Sequence, residues 1–252
     1  MPSVDMRAEV YSPLQNTAVW LAAWLYGDES TDELLSALTA LGGKHSWDGG
    51  PITDMLREIR AVADVASEDP VIRLILWGPG QAAGIPAGSP AAEALTRAGA
   101  IVVKQSGGLS HILVPTYATE GVHWRWFEEE ARLPEPAWLT PGEADQLLSQ
   151  ATEQAAQLIE ALGYRTSELR NPRLTVGSLA DFYDTPGLPN GVTPRAAKLF
   201  ARADKVAAII ETVTDRIGDH SLDPQLFALW RHIRTARMAG VADAVHDYWR
   251  ES

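Results

Sequence analysis

Val71-Ile72-Arg73-Leu74-Ile75-Leu76-Trp77 is a β-branched, aromatic-ended run carrying one charge, and it reads as a strand buried on both faces. Before it, the apolar period is helical. Ser12-Pro13-Leu14-Gln15 combines an N-cap, a proline at the first helical position and a reciprocal Gln, and residues 17–26 (TAVWLAAWLY) are apolar on nearly every side up to Gly27. Ser30-Thr31-Asp32-Glu33 opens a second helix with Leu34, Leu35, Leu38 and Leu41 on one side, closed by Gly42-Gly43. The segment KHSWDGG (44–50) reads as a loop leading to a third helix from Pro51, where Ile52, Met55, Leu56, Ile59 and Val62 repeat at helical spacing.

After Trp77 a Gly/Pro/Ala loop runs to Gly88, and Ser89-Pro90 caps a short Ala-rich helix before Gly99. Ile101–Lys104 is the next strand, and a right-handed crossover would set it parallel to the first. Ser110–Tyr117 and Val122–Phe127 form an antiparallel hairpin about Ala118-Thr119-Glu120-Gly121. From Leu133 the chain turns Pro-rich and then helical. Thr140-Pro141-Gly142-Glu143 is a capping box, Thr193-Pro194 opens a long helix, and Asp223-Pro224 opens another that Gly240 is expected to kink or break. The segment SLADFYD (178–184) reads as a short helix. The fold class is therefore α+β: a small mixed four-stranded sheet with flanking helices over residues 1–135, followed by an all-helical part over 136–252, the two free to pack as one unit.

Composition narrows the partners. The chain has 252 residues, 21 Lys+Arg against 33 Asp+Glu, a net charge of −12 and 46% apolar residues, a globular balance. An acidic field and the absence of any polybasic run argue against nucleic acid and anionic membranes. Zero cysteines exclude disulfides, thiolate metal sites and cysteine nucleophiles. No signal peptide is read at the start, and no run approaches the ~20 apolar residues of a membrane span. The expectation is a soluble, cytoplasmic protein.

Several constellations are candidates for chemistry. Gly78, Gly80 and Gly84 follow a strand, the position of a phosphate-cradling turn, but their G-x-G-x-x-x-G spacing departs from the dinucleotide fingerprint. Six histidines lack any H-x-x-x-H or H-x-H spacing, so neither metal nor cofactor is expected. Strand alternation in 122–127 puts Val122, Trp124 and Trp126 on one face and His123, Arg125 and Phe127 on the other, the second being a polar strip suited to a cleft. Ser110 and His111 point to opposite faces and cannot act as nucleophile and base. His45, Trp47 and Asp48 crowd one loop, where an Asx turn and a plugging indole explain them more readily than ligand binding.

Asp181, Tyr183 and Asp184 have ordinary cap and turn chemistry. Arg231, Arg234 and Arg237 form one basic stripe beside His232, with the protein's own carboxylates as the natural counter-charge. Of nine tryptophans, Trp20, Trp24 and Trp230 fall on buried stripes, and Trp47, Trp138 and Trp249 are placed for interfaces.

The stretches NTAVWLAAWLYG (16–27), VHWRWFEEE (122–130), PAWLTPGEADQLL (136–148) and SLADFYDTPGLPNGVTPRAA (178–197) resemble a family of conserved actinobacterial proteins of unknown function. An excess of 17 Arg over 4 Lys fits the GC-rich genomes of that group. The resemblance implies a bacterial, soluble protein and transfers no mechanism.

Two readings follow. In the first, the chain is a non-catalytic binding or regulatory protein for a protein partner or small ligand, with Arg125, Trp47, Gly78 and Gly80 as contact residues and a homodimer compatible with its tryptophans. In the second it is a small-molecule enzyme, with His123, His45 and Asp48 doing acid/base work in a cleft between sheet and helical part.

Overall fold

The computed structural model describes residues 12–48, 50–135, 138–161, 187–217 and 223–252. The elements are α1 (Pro13–Tyr26), α2 (Thr31–Gly42), β1 (Lys44–Trp47), β2 (Gly50–Pro51), α3 (Ile52–Val62), β3 (Ile72–Ile75), α4 (Pro90–Ala94), β4 (Ala100–Lys104), β5 (Ser110–Ala118), β6 (Gly121–Glu129), α5 (Pro141–Ala161), α6 (Pro194–Ile217) and α7 (Asp223–Glu251). The short helix expected over 178–184, with Asp181, Tyr183 and Asp184, lies outside the described residues.

The class is α+β, but the sheet has six strands rather than four, in the order β2-β1-β6-β5-β4-β3. The two additional strands come from the stretch expected to be a loop. Four residues carry too little period-two signal to be read alone. What makes β1 a strand is a parallel partner 77 positions away, with His45 beside Val122 and Trp47 beside Trp124. The relation between β3 and β4 is also corrected: they run antiparallel, Ile72 opposite Val103 and Ile75 opposite Ala100. The connection between them holds only the five-residue α4, too short to carry the chain back along the sheet as a crossover requires. The hairpin β5–β6 is antiparallel as expected.

Each face of the sheet has its own core. Ile72, Leu74, Ile101, Val103, Leu113, Val122 and Trp124 face α1, α2 and α3, and the C-terminal end of α7 joins them through Val241, Ala244, Val245 and Tyr248. The opposite face buries Ile75, Val102, Ile112 and Val114 under Ile85, Ala91 and Leu133. A third core lies among α5, α6 and α7, where Leu148, Leu199, Ala203, Ile210 and Ile233 meet. There Arg237 reaches Asp204 at 2.8 Å. Burial pushes the Asp204 carboxyl up to about 6, with the Arg237 charge and hydrogen bond opposing it.

The helix signals hold in most places. Ser30 and Glu33 form a reciprocal capping box, as do Thr140 and Glu143, and Thr193 Oγ1 accepts from the Ala196 amide. At Ser12 the box does not form. Ser12 is left-handed at φ 41°, its carbonyl rather than its hydroxyl meets the Gln15 amide, and Gln15 is buried. Gly240 does not end the last helix, which runs unbroken from Asp223 to Glu251. The absence of a side chain there serves packing, because a Cβ would run into the Phe200 ring of α6.

Gly121 is the tightest point of the sheet. It pairs with Lys44 on one side and Ala118 on the other at φ 145°, and a Cβ would collide with the Lys44 carbonyl oxygen. Gly27 is also left-handed at φ 95° but has open space around it. Gly121→Ala should therefore cost about 3 kcal/mol, combining backbone strain with overpacking. Gly27→Ala should cost about 1 kcal/mol. Urea unfolding of the two variants beside the parent checks the difference.

Candidate functional site

The residues singled out from sequence are divided by the pleat. His45 and Trp47 project to the face covered by α1, α2 and α3, while Ser46, His123 and Arg125 project to the other. Asp48 sits in the exposed turn after β1 at φ 40°. His45, His123 and Asp48 therefore do not share a pocket, and the His123 face is covered by α4 and neighbouring loop residues rather than by the helical part. His123 Nδ1 lies 3.1 Å from the Ser46 hydroxyl. Arg125 donates to the Ala94 carbonyl at 2.7 Å, with its guanidinium 5.6 Å from the Phe127 ring, so it ties α4 to the sheet.

Gly78 and Gly80 have a structural employer. The turn Gly78–Gln81 is gripped from α7: Arg234 donates to the Pro79 carbonyl and to Gln81 Oε1, each at 2.9 Å. A Cβ on Gly78 would come within 2.7 Å of the Arg234 guanidinium. Gly78 makes room for a cation of the same chain, and Gly80 supplies the left-handed backbone of the turn at φ 74°. Of the basic stripe, Arg234 is engaged with this turn and Arg237 with Asp204.

On the inner face, two indoles and two imidazoles pair. Trp124 Nε1 donates to His45 Nδ1 at 3.0 Å, and Trp126 Nε1 donates to His111 Nδ1 at 3.1 Å. Each bond needs a neutral ring with a free lone pair on Nδ1, which puts the ring proton on Nε2. For His111 that proton meets Gln105 Oε1 at 2.9 Å. For His45, Nε2 points toward the end of α2 and has no well-formed hydrogen bond. Trp47 stacks obliquely on Trp126 at 5.8 Å and completes an aromatic belt across β1, β6 and β5.

Burial holds both histidines below their ordinary value. The Leu38 carbonyl only partly offsets this for His45, and the Glu128 charge only partly for His111. Both rings serve the framework of the sheet as acceptors of indole N–H bonds.

What sequence reasoning missed is a groove of about 420 Å³ among α1, α2 and α3. Trp24 and Leu56, 3% and 2% exposed, form its floor. Thr31, Thr53, Arg57, Arg60 and Ala61 line the walls. The Arg60 guanidinium lies 4.3 Å from the centre of the Trp24 ring, and the indole N–H is held by Thr31 Oγ1 at 3.0 Å. Arg57 pairs with Asp54 at 3.0 Å. The available signal was two arginines three apart on the polar side of α3. Nothing in the sequence shows that Trp24, on a helix apolar all round, lies beneath them. Among the described residues no group of three or more His, Asp or Glu is placed to hold a metal ion, and no helix is long and apolar enough to cross a membrane.

The depressed histidines make a pH prediction with a definite sign. Unfolded, both rings titrate near about 6.5, whereas the folded values lie lower, so below that pH the unfolded chain binds more protons. Their contribution is whole above about 6.5 and is lost as pH falls through the folded values. Asp204 has the opposite sign, its contribution falling as pH rises toward about 6. A His45→Gln/His111→Gln double variant keeps Asp204, and Gln can still accept from an indole. Urea unfolding from pH 8 to pH 5 should show a flatter acid limb for the variant than for the parent.

Residues 15–139 match the family described as Rv1486c-like protein, N-terminal domain, and residues 142–238 match the corresponding C-terminal domain. The uncharacterized protein Rv1486c of Mycobacterium tuberculosis and the uncharacterized protein ML1804 of Mycobacterium leprae are each 26% identical to the chain. Both alignments cover 95% of this chain and 99% of the relative. No solved structure matches. With both family segments matched in order along one chain, the protein belongs to the Rv1486c-like family, a conserved actinobacterial family of unknown function.

Proposed function

We propose that this chain is a non-catalytic, cytoplasmic binding protein whose ligand is a small molecule seated in the groove over Trp24. The observation that carries the reading is the groove itself. Its volume of about 420 Å³ suits a small ligand, its floor is apolar and buried, and its rim presents hydroxyl and guanidinium donors. Support also comes from how the candidate acid/base groups are used. His45 and His111 accept indole N–H bonds, and His123 lies on the opposite face beside Ser46. An enzyme reading would need these groups to converge on one substrate.

A protein partner is the second reading, and one feature favours it. Trp138 is 59% exposed and meets His246 at a tilt, ring centres 5.8 Å apart, and His246 meets Trp249 likewise at 5.2 Å. An exposed indole such as Trp138 suits an interface.

A thermal-shift screen with organic acids, nucleotides and neutral metabolites separates the two. A ligand at a hundred times its dissociation constant should stabilise the fold by about 2.7 kcal/mol. Ala61→Trp, a substitution at an exposed position on the groove wall, should abolish that shift while leaving the unliganded melting temperature within a few degrees. No shift with any class, or a shift that Ala61→Trp leaves intact, would overturn the groove reading.

A further inference from the structure

The groove points to a chemical class of ligand, an inference that rests on the binding reading above. We infer that it takes an organic anion, a carboxylate on a flat apolar body, with Arg60 holding the carboxylate. Three observations carry this. First, the Arg60 guanidinium carbon lies over the Trp24 ring, 4.3 Å from its centre. Among the described residues no acceptor meets its N–H donors, so the fork is open to the two parallel bonds a carboxylate accepts.

Second, among the described residues Arg60 has no carboxylate partner, in a chain whose net charge is −12. Asp54 on the same helix is engaged with Arg57, and Glu33 with the Ser30 amide in the capping box. Third, the accessible lining of the groove is mostly apolar, with Trp24 and Leu56 beneath it almost wholly covered by the protein itself. Such a surface rewards an apolar ring and gives inorganic phosphate or sulfate little beyond one fork. Thr31 and Thr53 add hydroxyls at the wall. Thr31 Oγ1 already accepts from the Trp24 indole, so its own proton remains to donate.

The test is calorimetric titration of the full chain with matched pairs, benzoate and benzamide, 2-naphthoate and 2-naphthamide, indole-3-acetate and indole-3-acetamide, with inorganic phosphate beside them. At least one aryl carboxylate should bind at millimolar concentration or below, at least tenfold tighter than its amide, with phosphate showing no saturable heat. Arg60→Gln should bring acid and amide within twofold of each other. Arg60→Lys, which keeps the charge but loses the fork, should fall between. Ala61→Trp should remove binding of acid and amide together. Thermal melts of each variant confirm that it is folded.

Equal binding of acid and amide, or an acid preference that survives Arg60→Gln, would overturn the anion assignment while leaving the groove standing. Binding of every pair unaffected by Ala61→Trp, or saturable binding by none of the probes, would overturn the groove itself.

Discussion

The continuity of α7 is the constraint on which the rest of the architecture depends. Its 29 residues form a rod about 43 Å long. Leu229, Ile233 and Ala236 on its first half belong to the core shared with α5 and α6, and Val241, Ala244, Val245 and Tyr248 on its second half belong to the core shared with α1 and the sheet. One rigid element thus enters two apolar cores, and it can do so only if nothing interrupts it between them. Gly240, at the passage from one to the other, lets the Phe200 ring of α6 press against the α7 backbone. Arg234 and Met238 fasten the same helix to the end of β3, through the Pro79 carbonyl and the Leu76 amide.

Much of this was legible because it is local. Capping boxes at Ser30 and Thr140, the helical stripes and the β5–β6 hairpin all depend on residues within a few positions of one another, and they appear where expected. The readings that failed depend on partners distant in sequence. Lys44–Trp47 is a strand because β6 offers it a free edge, and no property of four residues announces that. Gly240 looked like a break because glycine in isolation weakens a helix by about 1 kcal/mol, whereas a close aromatic contact supplied from α6 reverses the inference. The crossover between β3 and β4 was inferred from a β-loop-α-β order, yet a five-residue helix cannot span the sheet.

The same distinction explains the site. The polar residues that stood out in sequence, His45, Trp47, His123 and Arg125, serve the sheet: they link β1 to β6, or β6 to α4, and the pleat sends them to opposite sides. The indole–imidazole pairs stabilise a buried surface by satisfying polar atoms that apolar neighbours would leave unpaired. The groove, by contrast, combines Trp24 and Leu56, both read as core, with threonines and arginines that no pattern singled out. A functional surface of that sort emerges from the packing of three helices and has no motif.

The bond between the Leu76 amide and Met238 closes a separation of 162 residues, and the one between Trp249 and the Ser67 carbonyl closes 182. On a ribosome adding 5–20 residues per second, roughly 8–30 s pass between the synthesis of Leu76 and that of Met238. Throughout that interval the inner side of β3 and the α1 surface facing it lack the helix that covers them in the finished fold. The nascent chain must therefore be held in solution by something other than its own last helix, and its yield in a cell is set as much by how fast it is made, and by what shelters it meanwhile, as by the stability it finally attains.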